Sequence, residues 1–264
     1  MNRIDARFQT LARDGRKGFV AYITAGDPSL ETTVELARAF DGAGVDVLEL
    51  GVPFSDPLAD GVVNQRAAER ALRNGVSLRD VLDAVRTIRA SCEIPVVLFT
   101  YINPVMQFGL DAFPAAAREA GVDGILALDY PPGESVAFRA ALNEHGLRMM
   151  QLIAPTTTDE RMRLLAEAST GFIYYVSRTG VTGMRDAVEA DVGPKVQKIK
   201  SFSDKPVAVG FGISRPEHVA KVAQFADAVV VGSAIVQRIE DNIGREDLVP
   251  HVTELVEELT APLK

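Results

Sequence analysis

"SLETTVELARAFDGAGVDVLEL", residues Ser29–Leu50, decides the fold. In its first half Val34, Leu36, Ala37 and Phe40 share one face at helical spacing, while Glu31, Glu35 and Arg38 take the face toward water. Gly44 supplies a helix stop, and from Val45 onward the pattern is that of a buried strand. One helix followed by one strand is a unit, and the unit recurs. The word "AGVD" at Ala43 returns at Ala120, as in a worn internal repeat. Strand-like runs begin at Phe19 (FVAYIT), Val45 (VDVLEL), Pro95 (PVVLFT), Asp123 (DGILALD), Arg148 (RMMQLI), Phe172 (FIYYVS), Pro206 (PVAVGF) and Asp227 (DAVVVG). Amphipathic stretches separate them. Eight such units with no linker rich in Pro, Gly or Ser predict an α/β fold, a closed (β/α)8 TIM barrel forming one domain over residues 1–264. An open doubly wound sheet is the alternative. Ile4, Phe8 and Leu11 fall on one face ahead of the first strand, which predicts an additional N-terminal helix packed on the barrel.

Composition narrows the function. Apolar residues make up 47% and charged residues 24% of the 264, which suits a globular protein with a large core. A net charge of -8 without a basic run argues against nucleic acid. No stretch approaches the roughly 18 apolar residues of a membrane span, and the first residues lack the apolar centre of a signal peptide. Cys92 is the only cysteine, so no internal disulfide forms and a cytoplasmic location is expected.

In a barrel of this type chemistry sits at the carboxyl ends of the strands. His145, His218 and His251 fall on helices and fail that test, so acid and base work passes to carboxylates or tyrosine. Glu49 stands among apolar residues near the end of the second run, on the side opposite Leu48 and Leu50. It is either a structural carboxylate paired with a buried cation or a general acid–base whose apolar setting raises its pKa. No strand-end Arg or Lys stands ready to pair with it. The loop that follows, "GVPFSDPLADG", is stiffened by Pro53 and Pro57 and carries Ser55, Asp56 and Asp60 over the mouth before a helix resumes near Val63.

Glycine-rich turns close the seventh and eighth runs, "VGFGIS" and "VVGSAIV". Together they form the expected phosphate site of the architecture, with Ser233 either capping the following helix or donating to the anion. "SRTGVTGMRDAVEADVGPKV" after the sixth run is a flap or a plain solvent loop, and either Tyr174 or Tyr175 before it faces the pocket. No group of residues has the spacing of a metal site, and a nicotinamide fingerprint is missing, so the chemistry is expected to need neither.

These words in this order, "AYITAGDP", "LELGVPFSDPLADG", "FTYINPV", "LALDYPP", "YYVSRTGVTG", "VGFGIS" and "VVGSAIV", resemble the tryptophan synthase alpha chain family over essentially the whole sequence. The resemblance implies a lyase that splits indole-3-glycerol phosphate into indole and glyceraldehyde 3-phosphate by a retro-aldol route, with no cofactor in this chain. It implies a partner, the beta chain, which carries pyridoxal phosphate, and an alpha2beta2 complex. By the same resemblance Glu49 and Asp60 are catalytic, Tyr174 orients Glu49 and Thr182 helps close the flap. Gly183, Gly212, Gly232 and Ser233 hold phosphate. Tyr22, Phe99, Leu126, Ile153 and Phe211 line the indole slot. Asp56, Pro57 and the Asn103–Pro104 turn face the beta chain. Tyr22 replaces the usual Phe, and Val62 stands where a proline is usual. A stand-alone lyase releasing free indole and a non-catalytic phosphate-binding subunit are the competing functions.

Overall fold

The computed structural model describes residues 1–176, 187–210 and 212–264. Its strands are β1 (Gly18–Thr24), β2 (Val47–Gly51), β3 (Val96–Thr100), β4 (Gly124–Ala127), β5 (Arg148–Met149), β6 (Gln151–Ile153), β7 (Ile173–Val176), β8 (Val207–Gly210) and β9 (Ala228–Val231). All pair in parallel, in the order β5-β4-β3-β2-β1-β9-β8-β7-β6. The fifth predicted run is thus two short strands parted at Met150, and that single segment joins both ends of the order into a barrel. Eight staves give nine strands.

The helix α2 (Leu30–Ala43) forms where the pattern placed it. Ser29 caps its start by accepting from the Thr32 amide, and Gly44 ends it in the left-handed region at φ 95°. Val34, Leu36, Ala37 and Phe40 are buried against the outside of the sheet, while Glu31, Glu35 and Arg38 are exposed. Burying side chains of that size is worth about 1.5–3 kcal/mol each for the larger ones.

The recurring word has a physical cause. Asp46 Oδ2 accepts from the Phe19 amide, Asp123 Oδ2 from the Val96 amide and Asp227 Oδ2 from the Val207 amide, each at 2.9 Å. In each case the aspartate just before one strand holds the start of its neighbour. Burial raises the pKa of Asp46 and of Asp123, and the donated amides and nearby arginines oppose that rise.

Alternation sorts the side chains into two shells. Phe19, Ala21, Ile23, Leu48, Leu50 and Tyr175 point outward to the helices. Val20, Val47, Val97, Leu126, Met150, Phe172, Tyr174, Ala208, Ala228 and Val230 fill the inside. The predicted N-terminal helix, α1 (Arg3–Arg13), does more than lie on the barrel: Ile4, Phe8 and Leu11 enter the inner cluster, and Phe8 meets Phe172 at 5.5 Å between ring centroids. It closes the amino-terminal end. Asn2 fixes its start, its side chain accepting from the Ile4 amide and donating to the Asp123 and Gly146 carbonyls.

Candidate active site

A cavity of about 440 Å³ opens at the carboxyl ends of the strands. Its wall includes Tyr22, Asp60, Phe99, Tyr174, Gly212, Gly232 and Ser233 from the expected set. The remainder is largely apolar: Val63, Leu128, Leu152, Val176, Ile213 and Val230. A flat aromatic ligand suits such a slot.

Glu49 lies in the middle of β2 rather than at its end, because the strand runs on to Gly51. It pairs in register with Tyr22 on β1 and Val97 on β3, both on the inner side. The side chain is 0% exposed, and neither carboxyl oxygen has a hydrogen-bond partner among the described residues. Burial alone pushes its pKa up to about 8. A carboxyl in that condition keeps its proton at neutrality. The structural alternative, a buried ion pair, is not what these residues form: among the described residues no salt bridge includes Glu49. Glu49 sits behind the cavity wall, close enough to Tyr22 and Tyr174 for its charge to act on both phenols.

Asp60 differs in setting. It ends the loop before the helix α3 (Val62–Arg73), which starts one residue earlier than expected and has Gly61 at its cap. Val62 therefore occupies the first helical position, where a proline's missing N–H would cost nothing. Tyr101 Oη donates to Asp60 Oδ2 at 2.9 Å and accepts from the Ala59 amide at 2.9 Å. Gln65 Nε2 donates to the Asp60 carbonyl at 2.8 Å. Burial raises the Asp60 pKa, while Tyr101 and the amide of Asn64 pull it back toward the ionised form. The two carboxyls are thus held differently, Glu49 dry and unpartnered behind the cavity wall, Asp60 hydrogen-bonded in it.

Gly212 and Gly232, from the glycine-rich turns, line the same cavity. Gly212 takes φ 73°, open to glycine at no cost. Gly232, not Ser233, is the cap of the helix Ser233–Asp241, and Ser233 is its first residue. Ile235 already donates to the Gly232 carbonyl at 2.8 Å, so the amides of Ser233 and Ala234 stand at the open end of the helix, the kind of end that favours an anion.

Some expectations shift. Ile153 does not line the slot: it is buried in the outer shell, and Leu152, paired in register with the inward Tyr174, takes its place. The inward positions of this stave are Met150 and Leu152, so odd-numbered neighbours face the helices. Leu126 is in the inner cluster two residues before the cavity-lining Leu128, one layer deeper than the slot. Asn103 and Pro104 lie in the first turn of the helix Ile102–Phe108 rather than in a turn. Asp56 is exposed and Pro57 half-buried on the rim loop, where Ser55 Oγ donates to Asp56 at 2.5 Å. Thr182, Gly183 and Phe211 lie outside the described residues. So does the first half of the expected flap, while its second half belongs to the helix Ala187–Lys200. Tyr101, Asn64 and Leu128 were not singled out from sequence. Tyr101 follows the third strand inside "FTYINPV", and its place as a hydroxyl at a strand end is the signal that could have found it.

Comparison with known proteins agrees with this geometry. The sequence profile of the family described as "Tryptophan synthase alpha chain" matches residues 8–263. The chain belongs to the tryptophan synthase alpha chain family. A tryptophan synthase alpha chain from Solibacter usitatus is 51% identical over 242 residues, covering 92% of this chain and 91% of that one. The one from Phenylobacterium zucineum is 47% identical over 264 residues, with 99% and 95% covered. The crystal structure of tryptophan synthase subunit alpha from Legionella pneumophila superposes with a TM-score of 0.92 at 40% identity, covering 100% of this chain and 98% of that one.

Proposed function

We propose that this tryptophan synthase alpha chain cleaves indole-3-glycerol phosphate with Glu49 as proton carrier and Asp60 as the anchor of the indole N–H. The observation that carries this assignment is Glu49 itself: a sealed, unpartnered carboxyl with a pKa of about 8, behind an apolar cavity whose wall carries a second, hydrogen-bonded carboxylate. Glu49 gives its proton to the ring carbon that bears the glycerol chain. The ring nitrogen becomes cationic, and the Asp60 carboxylate stabilises that charge. The carbon–carbon bond then breaks toward the ring, the adjacent hydroxyl loses its proton to Glu49 and becomes the aldehyde of glyceraldehyde 3-phosphate, and indole leaves. One proton goes out and one returns. Positioned acid–base chemistry of this kind contributes roughly a hundred- to ten-thousand-fold.

Gly212, Gly232 and Ser233 hold the phosphate, together with Gly183. Tyr22, Phe99 and Phe211 line the indole slot, to which Leu152 and Leu128 are added here in place of Ile153 and Leu126. Tyr174 orients Glu49, and Thr182 helps close the site. No cofactor belongs to this chain in the proposed reaction.

The partner is the beta chain, in an alpha2beta2 complex, with pyridoxal phosphate on the partner. What supports docking at the mouth is the rim: Leu58, Val62 and Met106 are 94%, 65% and 57% exposed beside Asp56, Pro57, Asn103 and Pro104. Apolar side chains so placed gain by being covered. The site of action is the cytoplasm, in keeping with the unpaired, buried Cys92; no helix among the described residues is long and apolar enough to cross a membrane. Turnover of indole-3-glycerol phosphate by the pure chain, with and without a beta chain, tests the proposal. Indole release that rises on adding the partner is the expected result; no release in either condition overturns it.

A further inference from the structure

Glu49 presents a problem that its neutral form hides. As a protonated acid it tolerates a dry setting, but once it has released its proton the carboxylate stands inside the barrel with no cation and no amide bonded to it among the described residues. An ionised carboxyl so placed needs a donor. The groups that face it are phenols, Tyr22 from β1 and Tyr174 from β7, and the Asp60 charge in the loop after β2 acts on both of these phenols.

Of the two, Tyr22 is the one on the strand that adjoins β2. It is the register partner of Glu49, on the same inner side of the adjoining strand. Its ring stands edge-on to Phe99, with centroids 5.1 Å apart, and reaches over Gly51, two residues beyond Glu49 on the same face of β2. A Cβ at Gly51 would lie 2.7 Å from Tyr22 Cζ, so glycine is what lets the phenol rest on the strand that carries the acid. The hydroxyl is weakly committed elsewhere. Its partner is Thr24 Oγ1 at 3.3 Å, long against the usual 2.7–2.8 Å or so for such a pair.

We propose that Tyr22 is a positioning residue for Glu49: its hydroxyl donates to the carboxylate formed when Glu49 gives up its proton, and returns to Thr24 when the proton comes back. The phenol keeps its own proton throughout, since burial and the neighbouring carboxylates hold it far above neutrality. This rests on Glu49 being the proton carrier. It gives the hydroxyl at position 22 a chemical task beyond lining the slot.

Tyr22→Phe removes the hydroxyl and keeps the ring. The test is the pH dependence of kcat and KM for indole-3-glycerol phosphate cleavage in wild type, Tyr22→Phe and Thr24→Val. Loss of a donor to the ionised acid raises the Glu49 pKa, so the alkaline limb of kcat/KM moves up by about one pH unit, and kcat falls about tenfold with KM nearly unchanged. Thr24→Val frees the hydroxyl for Glu49 and moves that limb the other way. A purely packing role for Tyr22 would alter thermal stability without moving either limb. Superimposable pH profiles for wild type and Tyr22→Phe, with kcat within twofold, overturn the inference. A wild-type chain without turnover would instead overturn the function on which it rests.

Discussion

Replacing Glu49 by glutamine separates the cost of the buried acid from its use. In the folded chain burial lifts the pKa from 4.5 to about 8. Between those values the folded state holds a proton that the unfolded state has lost, so stability falls as pH rises. The contribution is fully present below pH 4.5 and lost as pH passes through about 8. At about 1.4 kcal/mol per pH unit the loss reaches roughly 3 kcal/mol at pH 7 and roughly 5 kcal/mol above pH 8. The Glu49→Gln variant has no ionisable group at this position and escapes the loss. Urea unfolding of both proteins at pH 5, 7 and 8.5 is the assay: the variant gains on the wild type steadily across the series, while its indole release drops at least about a hundredfold. Parallel stability curves would refute the physical account of Glu49, whatever happens to activity, because they would mean that the carboxyl is solvated in the folded protein.

Asp60→Asn keeps the shape and the Tyr101 contact but removes the charge; we expect at least about a hundredfold lower cleavage with phosphate-ligand affinity within threefold, measured by calorimetry. Equal losses in both would make Asp60 structural. Gly51→Ala drives a Cβ into the Tyr22 ring and costs about 1–3 kcal/mol, visible as a lower Tm; an unchanged Tm would show that the ring is free to move. Leu58→Asp places a charge on the exposed rim and weakens beta-chain association by about tenfold or more in a titration, and unaltered affinity would remove this face from the interface.

Much of the architecture was legible because several levels of the sequence agree. In α2 the spacing of Val34, Leu36, Ala37 and Phe40 and the Gly44 stop point to one helix, and both are found, with Ser29 as a cap that was not singled out from sequence. The repeated aspartates were visible as words, though not as what they are, since holding the start of a neighbouring strand is a tertiary act. Glu49 was conspicuous because a charge in an apolar run breaks the local pattern. Ile153 was placed in the slot by the resemblance alone, and the residues offered no check on it, because a strand buried on both faces gives no inside-outside signal and the break at Met150 leaves too few residues to count from. Tyr101 escaped notice for another reason: its place at the end of the third run was a signal, but its bond to Asp60 spans 41 residues and only the fold brings the two together.

The helix at the floor of the barrel has a chemical consequence. Glu49 keeps its proton only while its surroundings stay free of solvent, and a cylinder can leak at either end. Ile4, Phe8 and Leu11 act as a stopper driven in from below. Loosening them would wet the shaft, draw the acid back toward ordinary carboxylate behaviour and blunt catalysis, though none of the three touches the cavity. In the proposed reaction the proton inventory is thus guarded from the end of the barrel opposite the cavity.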